Sequence, residues 1–201
     1  MTARIDHTVT SGTFSLDGET FDVDNNVWVV GDDAECVIID APHDVAAITA
    51  LVGERKVVAV VCTHGHDDHV RVAPALAAAV EAPIWLHPAD APLWALTHDT
   101  PPDRELSDGQ VIAVGGTELG VMHTPGHAPG AVCFYVEDLG VVFTGDTLFN
   151  GGPGATGRSF SDHDVIVQSI SERLLSLPDA TIVKSGHGDD TSIGAERGNI
   201  S

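Results

Sequence analysis

Short β-branched and apolar runs recur along the chain: Val27–Val30, Cys36–Ile39, Val57–Cys62, Ile84–Leu86, Val111–Val114, Leu119–Met122, Val132–Val136, Val141–Thr144 and Thr181–Lys184. Gly, Pro, Asp or Asn bounds them, the punctuation expected of strands. Between some of them the apolar period changes to that of a helix. Asp44 can cap a helix with Val45, Ile48, Leu51 and Val52 on one face and Gly53 at its end. A second helix is predicted from about Val70 to Val80. A third starts near Ser161 or Asp162, carries Ile166, Ile170 and Leu174 at steps of four, and stops before Pro178. Two strand-rich blocks, each followed by helices, predict two sheets packed face to face with helices outside. A single doubly wound mixed sheet is the alternative, and periodicity does not choose between them. With no repeat, low-complexity tract or long linker, the 201 residues read as one domain.

The strand ends carry the chemistry. VVAVVCT runs into His64-Gly65-His66-Asp67-Asp68-His69, LGVMHTPG into His127, VVFTG into Asp146, and TIVKSG into His187. Sites form in the crevice beyond the carboxyl ends of such strands. Imidazole and carboxylate together suit zinc, iron, manganese and related ions. His64 and His66, two apart, cannot share a helix face, so they sit in a turn. Four ligand-type side chains within six residues are too dense for one tetrahedral site, and favour two ions side by side.

These motifs resemble the metallo-β-lactamase superfamily of hydrolases. Its HxHxDH signature appears as HGHDDH at His64–His69, followed in the family's order by TPGH at Thr124–His127, Gly145–Asp146, and GHG at Gly186–Gly188. The resemblance covers roughly Val27 to Gly188. It implies an αββα sandwich, two mixed sheets with helices outside. It also implies that His64, His66 and His127 hold one metal ion, that Asp68, His69 and His187 hold another, and that Asp146 bridges them. The expected cofactor is a pair of divalent ions, zinc first, with iron or manganese accepted by the same ligands. Asp68 is then placed to orient the attacking water and handle its proton. Asp40, closing the run VIID, is expected either to hold the His64–His69 loop by hydrogen bonds or to cap a helix. His123 is a candidate supporting residue or a plain strand histidine. His43, His87, His98 and His163 match no motif and read as structural.

Composition narrows the partners. Acidic residues outnumber basic ones 30 to 9, a formal charge of −21, so nucleic acid and anionic membranes are not expected partners. No apolar stretch approaches the ~20 residues of a membrane span, and MTARIDHTVTSG lacks the pattern of a signal peptide. Cys36, Cys62 and Cys133 lie in apolar runs and read as buried free thiols, which points to the cytoplasm.

Water held by two metal ions becomes acidic enough to supply a nucleophile near neutral pH. No GxSxG elbow competes with this reading. TPGHAPGAVCFY and GDTLFNGG look like the glyoxalase II branch, whose members hydrolyse thioesters of small thiols. The chain ends 14 residues after His187, so the helical glutathione-binding extension of that branch is expected to be missing. GGPGATGRSFSD and GHGDDTSIG resemble short glyoxalase II-like proteins that would act on another thiol such as mycothiol. The glycine-rich Gly152–Ser159 mimics a phosphate loop but has Arg158 for its lysine, so it reads as a cleft border, with Arg158 either available to a substrate carboxylate or a plain surface arginine. The expected partner is a small molecule. Rival readings are a lactonase, β-lactamase or phosphodiesterase on the same metals, and a mononuclear-iron persulfide dioxygenase.

Overall fold

A computed structural model describes residues 2–200. The first sheet contains β1 (Arg4–Leu16), β2 (Glu19–Gly31), β3 (Glu35–Ile39), β4 (Lys56–Val61), β5 (Ile84–Leu86) and β6 (Arg104–Glu105), side by side in chain order. Its first three strands are antiparallel and β3 to β6 are parallel. The second sheet is built from β7 (Val111–Val114), β8 (Thr117–His123), β9 (Val132–Val136) and β10 (Val141–Gly145). After a small ribbon of β11 (Leu148–Phe149) and β12 (Gly152–Pro153), it is completed by β13 (Ile182–Ser185) and β14 (Thr191–Ser192). Its order is β14-β13-β10-β9-β8-β7, with β10 and β13 parallel. Two sheets therefore replace the single doubly wound alternative.

The alternation of side chains along each strand explains the layering. Trp28, Val30, Val37, Ile39, Ala59 and Val61 of the first sheet meet Val121, Val132, Phe134 and Phe143 of the second. The opposite face of the first sheet, with Val27, Val29, Cys36 and Ile38, packs on α1 (Val45–Val52) and α3 (Ala73–Val80). The outer face of the second sheet, with Cys133, Val142 and Val183, is covered by α5 (His163–Ser169), by the π-turn Ile170–Leu174 that continues it, and by α6 (Ile193–Glu196). At ~1.5–3 kcal/mol per fully buried large apolar side chain, these three apolar layers stabilise the fold. They leave the strand ends free to carry polar groups.

Asp44 caps α1 through Ala47 N–H, and Gly53 ends the helix, as the sequence predicts. Ile166, Ile170 and Leu174 are all buried. The helix expected from about Val70 to Val80 is α3, which starts at Ala73 and ends at Val80, with the short α2 (Asp67–Val70) before it. Pro74 is the reason for the later start, since it lacks an N–H and restricts the residue before it. The hairpin of β1 and β2 extends far beyond the predicted Val27–Val30. Only Thr10 and Leu16 of β1 are buried, and the strand shows no apolar run. Asp17-Gly18, both with positive φ, closes its two-residue turn and is the signal that identifies it. The mimic of a phosphate loop is not one, because Gly152–Pro153 pairs with β11 instead of joining a strand to a helix. The short α4 (Ala91–Trp94) follows a 3-10 turn at Pro88–Asp90. Among the described residues, no helix is long and apolar enough to cross a membrane.

Candidate metal centre

The seven motif residues follow the ends of β4, β8, β10 and β13, with Asp68 and His69 on α2 and the others on loops. The first loop is held by two buried aspartates. Asp40, at the end of β3, adopts φ 65°, a strained value for a non-glycine residue. Its Oδ1 accepts from Thr63 N at 2.7 Å, and its Oδ2 accepts from Thr63 Oγ1 at 2.9 Å and His69 Nδ1 at 2.8 Å. Asp40 is thus the loop-holding residue, and helix capping falls to Asp44. Asp90 accepts from Gly65 N at 2.8 Å and also from Gly130 N, so one carboxylate ties the His64–His69 loop to the loop carrying His127. Burial pushes the Asp90 carboxyl up to about 6, against those two N–H donors. Asp90→Ala would strip two buried donors of their acceptor. It is expected to cost about 3 kcal/mol or more in a urea titration, at ~1–3 kcal/mol per unsatisfied group.

Four imidazoles have their tautomer set by an oxygen on the far side of the ring. His69 Nδ1 donates to Asp40, His127 Nδ1 to the Ala155 carbonyl at 2.8 Å, and His187 Nδ1 to the Asp24 carbonyl at 2.7 Å. His64 Nδ1 lies 3.1 Å from Thr63 Oγ1, whose own hydrogen goes to Asp40, so His64 donates there. Each therefore turns Nε2 inward, the nitrogen whose lone pair a metal would take in exchange for any proton held there. His66 is reversed, with Nδ1 facing inward.

The inward atoms fall into two adjoining groups. His66 Nδ1 is 3.0 Å from both His64 Nε2 and His127 Nε2. In the second group His69 Nε2 and His187 Nε2 are 3.3 Å apart, and Asp68 Oδ2 lies 3.3 Å from His187 and 3.6 Å from His69. Asp146 stands between the groups. Its Oδ1 is 3.3 Å from His69 Nε2, and its Oδ2 is 3.4 Å from His187 Nε2 and 3.6 Å from His127 Nε2. Ligands ~2.0–2.1 Å from a tetrahedral ion are about 3.3–3.4 Å from one another, so these separations fit the edges of coordination polyhedra. Asp146 Oδ1 is buried and has no hydrogen-bond donor. A carboxylate oxygen left this way among lone pairs fits a cation.

Charge divides the two groups. Burial, with the other imidazoles, holds His64 well below its usual value, and burial and His127 push His66 down to about 3. In the second group burial opposes ionisation, but it loses. Asp146 drives His187 up to about 10 and raises His69, while His69 and His187 pull Asp68 down to about 2. Without a cation, His187 is thus protonated at neutral pH. Its raised value stabilises the metal-free fold fully below the usual histidine pKa, and that contribution is lost as pH rises through about 10. Metal uptake near neutral pH is therefore expected to release protons and to weaken as pH falls. Titration calorimetry in buffers of different ionisation enthalpy reads this directly, and uptake without proton release would contradict it.

Residues 20–187 match the metallo-beta-lactamase superfamily. The chain belongs to that superfamily. Its members are generally metal-dependent hydrolases, and a divalent-metal centre agrees with the donor clusters above. A probable metallo-hydrolase of Bacillus subtilis, YqgX, is 31% identical over 86% of this chain and 89% of its own length. The hydroxyacylglutathione hydrolase GloC of Haemophilus influenzae is 35% identical over 67% of this chain and 70% of its own. Among solved structures, BLEG-1 B3 metallo-beta-lactamase superposes with a TM-score of 0.80 at 32% identity, covering 95% of this chain and 98% of that one. TTHA1623 in a di-iron-bound form gives 0.76 at 34%, covering 88% and 94%. The αββα fold that the motif resemblance implies is thus the observed one.

Other candidates fall elsewhere in this superfamily member. His123 donates to the Pro129 carbonyl at 2.9 Å and stacks on His87, so its hydrogen bond supports the His127 loop and not a donor atom. Arg158 pairs with Glu19 at 2.7 Å and lies over Phe21, both on the hairpin. Asp67 accepts from Ser15 N at 3.0 Å and pairs with Arg71, fastening the hairpin to α2. Two important residues escaped sequence reasoning. Asn25 donates to Asp68 Oδ2 at 3.0 Å, and Asn26 donates to the carbonyls of Ser185 and Gly188, each at 3.0 Å. Their only signal is two amides opening the apolar stretch of β2.

Proposed function

We propose that this protein is a dinuclear metallohydrolase that cleaves the thioester of a small thiol. His64, His66 and His127 would hold one divalent ion, Asp68, His69 and His187 the other, and Asp146 both. The observation that carries this reading is the complete set of seven donors at coordination spacing, with the remote nitrogens of four histidines tied to oxygens. When bound, such a pair of ions supplies an acidified water and a Lewis acid for the substrate carbonyl. Asp68, held by Asn25 and placed among the second group, would orient that water and receive its proton. A thiolate needs no protonation to depart, so the reaction asks for no further acid. The name of the Haemophilus influenzae relative supports the thioester class, and the di-iron neighbour makes iron as admissible as zinc.

The substrate on this reading is a small molecule, not nucleic acid or membrane, in keeping with the charge of −21. The three cysteines are buried and unpaired, which supports a reducing compartment such as the cytoplasm. Arg158 we assign to a carboxylate of the thiol carrier, in exchange for Glu19. Arg158→Ala should then raise KM about two- to fivefold with kcat held, the worth of an exposed ion pair. An unchanged KM removes that role.

The decisive experiment compares turnover of acyl-thiols, lactones, β-lactams and bis-phosphate esters by the zinc- and iron-loaded protein. Acyl-glutathione and acyl-mycothiol form separate arms. Thioesters are expected to be fastest, and the reading falls if they are slowest. Oxygen uptake with a persulfide, at one iron per chain, would favour the dioxygenase instead.

A further inference from the structure

One loop reaches two successive donors of the second group. Asp40, at its start, orients His69. Three residues on, His43 Nε2 lies 2.8 Å from Asn25 Oδ1, and the Nδ2 of the same amide lies 3.0 Å from Asp68 Oδ2. Chemistry fixes the direction of this chain. An ionised carboxylate only accepts, so the NH2 of Asn25 must face Asp68 and its oxygen must face His43. His43 Nε2 then carries the hydrogen and donates it. Asn25 is fully buried, and its Nδ2 also lies 3.4 Å from both His69 Nε2 and His187 Nε2. A flipped amide would put its oxygen against Asp68, where like partial charges repel.

The seat of His43 is built to hold it. The half-buried ring packs on β1 where that strand has Gly12, and a Cβ there would stand 2.7 Å from His43 Cε1. The ring is thus confined between the hairpin backbone and Asn25. Burial keeps it neutral, holding its pKa below the usual histidine value.

We infer that His43 is a positioning residue: acting through Asn25, it sets the orientation of Asp68 and thereby the affinity of the second metal position. This rests on the two-ion reading above. It assigns to His43 a part in the centre that its place outside every metal motif conceals. Outer hydrogen-bond partners of this kind typically change metal affinity 10- to 100-fold.

The test is stepwise addition of cobalt(II) to the metal-free parent, His43→Ala, His43→Gln and Gly12→Ala, followed by visible absorption and equilibrium dialysis. In His43→Ala the second equivalent is expected to bind about 10- to 100-fold more weakly, with the first unchanged. His43→Gln, whose amide can still donate to Asn25, should recover most of the loss. Gly12→Ala, which keeps His43 but removes its seat, should reproduce the loss. Equal weakening of both equivalents, an unchanged second equivalent in His43→Ala, or no recovery in His43→Gln overturns the role of His43. A parent chain that takes up fewer than two ions overturns the two-ion reading and this inference with it. Two ions in both parent and His43→Ala, equally tight, overturn only the inference.

Discussion

Asp146→Ala is expected to lower hydrolysis at least about a thousandfold, roughly 4 kcal/mol of transition-state stabilisation, and to leave the protein with less than its full complement of metal. No other donor touches both groups as this carboxylate does, with Oδ1 at 3.3 Å from His69 and Oδ2 within 3.6 Å of His127 and His187. Removing it takes away the negative charge facing His69 and His187 and separates the two halves of the site. The fold should survive, because Asp146 lies beyond the end of β10 and the layers are held by apolar contacts between and outside the sheets. Circular dichroism, metal analysis and a rate on the same preparation give the answer. Retention of the full rate would remove the proposed centre.

Gly186→Ala carries the second large effect, and it does so with every donor still in the chain. A methyl group here would collide with Asp146 Oδ1 and come within 2.7 Å of His69 Cε1. The backbone has no room to retreat. Gly186 N donates to the Gly145 carbonyl and Gly186 O accepts from Asn26 N, each at 2.8 Å, so the loop is pinned from two strands. The added carbon must therefore displace the donors. We expect loss of tight binding for one ion and a rate reduced by about a hundredfold or more, near 3 kcal/mol. Metal titration beside a melting curve separates this from simple unfolding. A variant that binds two ions and turns over normally would show that the space beside Gly186 is not part of the centre.

The helical period around Ile166, Ile170 and Leu174, the cap at Asp44 and the apolar runs of the inner strands were legible because each is a local pattern. Their burial follows from a spacing that any fold must respect. The donors were legible for a related reason, since they follow strand ends, and His64, His127, Asp146 and His187 each have a glycine or threonine directly before them. The long hairpin was obscured because its first strand buries only Thr10 and Leu16 and is held by pairing with β2, not by an apolar face. The later start of the predicted second helix depends on Pro74, which sits in the first turn of α3.

By itself, then, the sequence determined which side chains could bind metal, the order in which they arrive, and the class of layered fold that brings strand ends together. Only the tertiary structure decided which nitrogen of His69, His127 and His187 faces inward, because that is set by oxygens distant in the chain: Asp24 for His187, Asp40 for His69, Ala155 for His127. It alone also showed that Asp90 joins two loops and that Asn25 and His43 reach Asp68. A hydrogen bond between residues tens of positions apart leaves no periodic trace, for its geometry exists only once the sheets have packed.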